Sequence, residues 1–351
     1  MREKLYLSVY ANIKKDIING AYKNGQKLLS KRVLAERFGV SVITVEHSLD
    51  ILYNEGYIIP KERSGFYVSY INTDGFLNGA NITHNNVRGE NIITNQGFPY
   101  SVYVKTVRRV LSDYQEEVLN ATSYKGLFEL RKAISDYLKR SREINVSPER
   151  IIIGSGSEYL YGLIVRTLGL DKTIAIETPS YKQIENVYRS YGVKLEYLKL
   201  GSGGIDTEDL ENASAQVLHV SPFRSFPTGI SATVSKKLEY IEWAKKRNGF
   251  IIEDDFESEF SVFAKPVETV FSFDNDDRTV YLNTFSKTIS PSVRTGYMIL
   301  PERLAEDFEQ NVGFYRCTVP SLDQLVIAQL LNCGEFERHV NKQRRLLRKG
   351  L

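Results

Sequence analysis

Residues 284–297 read Thr284-Phe285-Ser286-Lys287-Thr288-Ile289-Ser290-Pro291-Ser292-Val293-Arg294-Thr295-Gly296-Tyr297. A lysine stands among small hydroxyl residues, and an arginine follows seven positions later. One amine and one guanidinium so placed suit an aldehyde that carries a phosphate: the amine forms a Schiff base and the guanidinium grips the phosphate. On its own such a lysine reads as a solvated surface residue. It gains meaning from three upstream stretches, each at the end of a β-branched run. Gly154-Ser155-Gly156-Ser157 follows Ile151-Ile152-Ile153, and glycines at a strand-to-helix turn let the backbone approach an anion. Pro179-Ser180-Tyr181 offers an aromatic ring that can stack on a pyridine. Asp254-Asp255 follows Phe250-Ile251-Ile252-Glu253, and a carboxylate there keeps a pyridine nitrogen protonated. Singly these read as a tight turn, a packing tyrosine and a solvated acidic turn. In consistent topological positions they read as one pyridoxal phosphate site.

The pattern around them supports that order. From about residue 98 onward, short β-branched runs at 150–153, 173–176, 194–198, 216–220, 250–253, 279–282 and 296–300 alternate with helical stretches such as 157–168, 181–190 and 235–247. Alternation of this kind predicts an α/β domain, a mostly parallel seven-stranded sheet covered by helices. In such sheets ligands bind beyond the carboxyl ends of the strands, where the candidate residues fall.

The first seventy residues read differently. Leu5, Val9, Ile13, Ile17 and Ile18 recur at helical spacing up to Gly20. Ser30 predicts a cap for a short helix through Phe38 with Val33, Leu34 and Phe38 turned inward. Gly39-Val40 makes a turn, and Ser41 caps a second helix carrying Val45, Leu49 and Leu52 as far as Gly56. Helix, glycine turn, helix is a helix-turn-helix. Tyr57–Ile59 and Phe66–Tyr70 flank Lys61-Glu62-Arg63-Ser64-Gly65, a basic-tipped hairpin with the shape of a wing. The helix from Ser41 is expected in a major groove, with Ser41, Val42, Thr44 and His47 towards base edges. Lys31 and Arg32 are expected at phosphates or the groove edge, and Lys61, Arg63, Ser64 and Gly65 along the backbone or minor groove. Val42 can offer only an apolar contact, such as one to a thymine methyl.

Charge agrees with a polyanion partner at this end. Residues 1–71 carry 11 Lys/Arg against 7 Asp/Glu, and the other 280 carry 35 against 36, so the net +3 arises wholly from the N-terminal segment. Residues 72–95, rich in Asn and Gly, read as a flexible linker between domains at 1–71 and 96–351. No apolar run is long enough to span a membrane, and Met1-Arg2-Glu3-Lys4-Leu5 does not resemble a signal peptide. Cys317 and Cys333 have no metal spacing and read as reduced thiols of a cytoplasmic protein, and His47, His84, His219 and His339 are scattered, so no metal site is expected.

The segments together resemble fold-type I pyridoxal phosphate enzymes of the aminotransferase kind. With the winged helix, the chain is similar to MocR-type members of the GntR transcription regulators. The resemblance spans nearly the whole chain. It rests on Phe98-Pro99-Tyr100, Tyr124-Lys125-Gly126-Leu127 with Leu130-Arg131, Gly154 to Ser157, Pro222 through Phe226-Pro227-Thr228-Gly229, Glu253 to Phe260, and the lysine segment. It implies pyridoxal 5'-phosphate as cofactor and Lys287 as the catalytic lysine. By the same resemblance Arg294 holds the phosphate with help from Gly156, Ser157 and Thr284, Asp254 faces the ring nitrogen, and Tyr181 stacks on the ring. Tyr124 is implied to reach the phosphate of a partner subunit in a head-to-tail homodimer.

Three departures bear on function. Phe256 stands where the family usually has a tyrosine, and Phe226 where its aminotransferases keep an asparagine, so two donors to the ring oxygen are missing and tuning for transamination should be poorer. The chain ends at Arg344-Arg345-Leu346-Leu347-Arg348-Lys349-Gly350-Leu351, about where the family's C-terminal subdomain, with its carboxylate-binding arginine, is expected to begin. Three readings follow. One is a regulator that binds double-stranded DNA and senses an amine, an amino acid or pyridoxal phosphate through Lys287. The second is an aminotransferase with a DNA-binding appendage. The third is a truncated DNA-binding remnant without a working sensor.

Overall fold

The structure, a computed structural model, describes residues 5–61, 64–70, 97–256, 258–261 and 268–349. They fall into two compact units, within Met1–Glu90 and within Asn91–Leu351. The segment 72–95 expected as a linker, and Arg63 of the expected wing, lie outside the described residues.

The first unit contains α1 (Leu5–Ile18), α2 (Lys31–Phe38), α3 (Val42–Asn54), β1 (Ile58–Lys61) and β2 (Gly65–Val68). Ser30 Oγ accepts from the Val33 N–H and Ser41 Oγ from the Thr44 N–H, so each serine satisfies an otherwise orphaned helix donor. Gly39, with φ 63°, ends α2 in the left-handed region and sets the turn into α3. Val9, Ile13, Ile17, Leu34, Val45, Leu49, Leu52, Ile58 and Val68 form one core. Val33 departs from expectation: it is exposed on α2, while Leu34 beside it fills the core. β1 and β2 pair antiparallel, Ile58 opposite Val68 and Lys61 opposite Gly65, which shifts both strands slightly from their expected bounds.

The second unit begins with α4 (Tyr100–Tyr114) and α5 (Phe128–Arg142) and continues with β3 (Ile151–Gly154), α6 (Ser157–Leu168), β4 (Thr173–Thr178), α7 (Lys182–Ser190), β5 (Lys194–Gly201), β6 (Gly204–Ile205) and α8 (Thr207–Asn212). β7 (Val217–Val220), α9 (Val234–Lys246), β8 (Phe250–Asp254), α10 (Val270–Phe273), β9 (Thr279–Thr284) and β10 (Gly296–Ile299) complete the sheet. α11 (Ala305–Val312), α12 (Ser321–Asn332) and α13 (Glu335–Arg348) follow.

Among the described residues the sheet has eight strands in the order β3-β10-β9-β8-β7-β4-β5-β6. The expectation of seven is corrected by β6, a two-residue strand paired antiparallel with the end of β5 and too short to leave a periodic signal. β4, β5, β7, β8 and β9 run parallel, and β10 is antiparallel to both β3 and β9. Alternate strand residues enter different cores. Ile151, Ile153 and Tyr281 pack with α5 and α12, whereas Ile152, Val280 and Leu282 pack with α6, α7 and α11. With both faces covered, strands such as Ile151–Gly154 and Val217–Val220 are buried throughout and read as continuous apolar runs.

Candidate functional site

The carboxyl ends of the parallel strands open into a cavity of about 480 Å³. Its wall brings together Ser157, Tyr181, Asp254, Thr284, Lys287 and Arg294, with Phe226 and Phe256 beside them. Each arrives on a different element. Ser157 opens α6, immediately after Gly156, whose φ of 98° carries the chain through the turn. Tyr181 caps the start of α7, and Asp254 and Thr284 end β8 and β9. Lys287 lies in the loop that returns the chain into β10, closed by Phe285 N–H to the Thr295 carbonyl (2.9 Å) and Ser286 Oγ to the Val293 carbonyl (3.1 Å). Its ammonium sits 5.8 Å from the centre of the Phe256 ring.

Asp254 is the most constrained ionisable group in the wall. It is buried, its Oδ2 accepts from the Tyr161 hydroxyl, and among the described residues its Oδ1 has no hydrogen-bond partner. Burial pushes this carboxyl up to about 7, against the Tyr161 hydrogen bond, which lowers it, and with the neighbouring Asp255 charge, which raises it. His219 stands behind, with Nε2 4.0 Å from Asp254 Oδ2 and Nδ1 2.6 Å from the Tyr188 hydroxyl. Burial lowers His219 to about 3, so the ring is neutral and the pair is not an ion pair. A buried acceptor oxygen without a donor carries a large desolvation cost.

At the other end, Arg294 Nη2 lies 2.5 Å from Glu158 Oε2, both side chains being about half exposed. A Cβ on Gly156 would fall 2.8 Å from Arg294 Nη2, so glycine is what permits the guanidinium to lie against this backbone. Tyr124 is not among the residues lining the cavity; its ring packs 6.1 Å from that of Phe308. The sequence reading passed over Glu158, Tyr161, Ser221 and Arg224, all in the wall. Tyr161 was recoverable, since it stands one helical turn after Ser157 on α6 and so shares its face.

In the first unit, Ser41 at the cap of α3, Val42, Ile43 and His47 of α3 and Arg32 of α2 are exposed, Ile43 being one that the sequence pattern does not mark. The hydroxyls of Ser41 and Thr44 bond each other at 2.8 Å while Ser41 caps the helix, so both are engaged locally. Lys31 pairs with Glu46 at 2.8 Å, and the Lys61 ammonium lies 4.3 Å from the Tyr67 ring centre. Ser64 Oγ and the Tyr67 hydroxyl are 2.7 Å apart, and Gly65 has φ 107° at the start of β2. Among the described residues no group of three or more His, Cys, Asp or Glu forms a metal site, and no helix is long and apolar enough to cross a membrane.

Comparison with known proteins agrees with both halves. Residues 93–350 match the aminotransferase class I and II family, and residues 5–68 match the bacterial regulatory proteins of the gntR family. The chain is 30% identical over 356 residues to YdeL of Bacillus subtilis, an uncharacterized HTH-type transcriptional regulator, covering 98% of this chain and 77% of that one. It is 27% identical to the probable rhizopine catabolism regulatory protein MocR of Rhizobium meliloti, over 97% and 74% of the two chains. Among solved structures, kynurenine aminotransferase of Pyrococcus horikoshii superposes with a TM-score of 0.65 at 23% identity, over 71% of this chain. The chain spans 64% of that enzyme's length, and the likeness shows the shared fold. The chain thus belongs to the aminotransferase class I and II family, carries a GntR-family helix-turn-helix domain at its N-terminal end, and is a relative, along nearly its whole length, of HTH-type transcriptional regulators.

Proposed function

We propose that the chain is a cytoplasmic transcription regulator that binds double-stranded DNA through its first unit and senses a small amine, an amino acid or pyridoxal 5'-phosphate through its second. The observation that carries this reading is Asp254, which lines the same cavity as Lys287 and Arg294 and whose buried Oδ1 has no hydrogen-bond partner among the described residues. These residues fit the cofactor: Asp254 for the ring nitrogen, Tyr181 for the ring face, Arg294 with Gly156, Ser157 and Thr284 for the phosphate, and Lys287 for the aldehyde. When bound, the cofactor supplies an aldehyde that captures amines and a ring that withdraws electrons. Lys287 Nζ is the position at which an incoming amine competes. If displaced, it would take up the proton that the incoming ammonium gives up and stand in the wall as a free cation, and a change of that kind can bias a two-state protein that binds DNA differently in each state. Tyr124 is assigned to the neighbouring site of a head-to-tail dimer.

On the DNA, α3 is assigned to the major groove with Val42, Ile43 and His47 outermost, and Arg32 and Lys61 to phosphates. Ser41 and Thr44 share one hydrogen bond, which leaves one of the two hydroxyl hydrogens free for a base.

The test is an absorbance spectrum of the chain with added pyridoxal phosphate beside Lys287→Ala. A yellow band that borohydride bleaches, absent from the variant, is expected, together with binding to a duplex of the chain's own upstream region that changes with candidate amines. A band that survives in Lys287→Ala would sink the reading. Keto-acid production at useful rates would favour an aminotransferase with a DNA-binding appendage instead.

Glu158 gives a further expectation. A phosphate must compete with its carboxylate for Arg294, so Glu158→Gln should tighten pyridoxal phosphate binding by about fivefold, equivalent to roughly 1 kcal/mol for a half-exposed pair. Equal affinities in a fluorescence titration would show that Glu158 yields Arg294 at no cost.

A further inference from the structure

The cavity holds one cation more than the cofactor needs. Among the described residues its charged lining residues are Glu158, Arg224, Asp254, Lys287 and Arg294. The proposed reading, on which this inference rests, uses Lys287, Asp254 and Arg294, with Glu158 as the partner of Arg294. Arg224 is left over. Its side chain is exposed in the cavity wall, and among the described residues it forms no salt bridge.

Its position is specified by the fold. Arg224 has φ 53°, a left-handed conformation that costs a non-glycine residue free energy and persists only where the surroundings impose it. They do so from both sides. The Arg224 N–H donates to Ser231 Oγ at 3.0 Å, and the Ala232 N–H donates to the Pro222 carbonyl at 2.8 Å. Ser225 is buried, with its N–H on the Ile230 carbonyl (2.8 Å) and its hydroxyl on Glu177 Oε2 (2.6 Å). The turn therefore presents Arg224 beside Phe226, whose ring meets that of Tyr181 edge-on at 6.0 Å.

We infer that Arg224 is the carboxylate anchor of the effector, so that the sensed molecule bears a carboxylate as well as an amine. A planar guanidinium receives a carboxylate through two parallel hydrogen bonds. The cations Lys287 and Arg224 then address the two ends of an amino acid, the amine at the aldehyde and the carboxylate at the mouth. A plain amine leaves Arg224 without an anion and gains nothing from it.

The experiment uses the full chain loaded with pyridoxal phosphate and matched probes that differ only by a carboxylate: L-alanine beside ethylamine, 4-aminobutanoate beside propylamine, L-lysine beside cadaverine, and the other common amino acids beside their decarboxylated amines. Apparent affinities are read from the change in cofactor absorbance. At least one amino acid should bind about tenfold to a hundredfold more tightly than its amine, the range of a charge-assisted hydrogen-bonded pair. Arg224→Gln should bring that ratio close to one without changing pyridoxal phosphate affinity, and Arg224→Lys should restore part of it. The inference is overturned if no amino acid outperforms its amine, or if the ratio survives in Arg224→Gln. It is equally overturned if Arg224→Gln weakens the cofactor itself, which would make Arg224 a phosphate ligand. A chain that shows no Lys287-dependent band refutes the cofactor reading instead. The cofactor-free chain then still decides about Arg224, through modification by phenylglyoxal read by peptide mass spectrometry. Protection by the amino acids but not by their amines is expected, and its absence counts against the anchor.

Discussion

Asp254→Asn is expected to weaken pyridoxal phosphate binding by about tenfold to a hundredfold while making the cofactor-free chain more stable. The two effects share one cause. Asp254 is buried, its Oδ1 is unpartnered, and burial raises its carboxyl from an ordinary 3.8 to about 7. A carboxyl whose folded value is raised contributes most below its unfolded value and loses that contribution as pH climbs through the folded one. The loss here runs from about pH 4 to about pH 7 and is complete at pH 8. Asparagine does not ionise and keeps an oxygen for the Tyr161 hydroxyl, so it removes the cost of the buried charge, on the order of 1–3 kcal/mol. Glu177 and Glu253 are likewise raised to about 7 by burial, and His219, lowered to about 3, works in the opposite direction below pH 6.5. The informative quantity is therefore the difference between variant and wild type, from melts without cofactor at pH 5 and pH 8. It should favour the variant and be larger at pH 8. A variant that melts lower at pH 8, or that binds the cofactor as tightly as wild type, would overturn the assignment.

Arg142→Met should be among the most destabilising single changes in the second unit. Arg142, at the end of α5, is buried with Nη2 3.2 Å from Asp255 Oδ2 and 3.8 Å from Glu259 Oε1, and it also donates to Ser258 Oγ. The Tyr281 hydroxyl donates to Asp255 Oδ2 at 2.7 Å, and Asn283 Nδ2 to Glu259 Oε1 at 2.8 Å. Asn283 Oδ1 in turn accepts from the Thr284 N–H at 2.6 Å, which ties this network to the cavity wall. Removing the guanidinium strands two carboxylates, and breaking a buried pair from one side costs about 3–5 kcal/mol. For a unit of this size that lowers Tm by roughly ten degrees or more. The segment after Asp254 should loosen too, with weaker cofactor binding. A variant that melts with wild type would show that the carboxylates find other partners or protonate. Adding Asp255→Asn and Glu259→Gln to Arg142→Met should recover part of the loss, because the stranded charges are then gone.

Much of this protein was legible residue by residue because the determinants are local. Ser30 and Ser41 cap the helices they precede, and the apolar runs at 150–153 and 279–282 became buried strands. Asp254 and Thr284 line one cavity because they end strands whose carboxyl ends open there, and Lys287 and Arg294 because they lie in the loop between β9 and β10. The sequence by itself thus determined two units of different class, their helix and strand order, and several of the residues around the cavity, since capping, periodicity and strand-end placement act over a few residues. Only the tertiary structure decided what long-range pairing decides. The Arg294–Glu158 pair spans 136 positions and the Tyr161–Asp254 hydrogen bond 93. Val33 faces solvent because Leu34 takes the core position, and Arg224 enters the cavity because Ser225 and Ser231 hold a left-handed turn. Such partners meet only when the sheet has brought distant segments together, and no local pattern encodes which charge each will find.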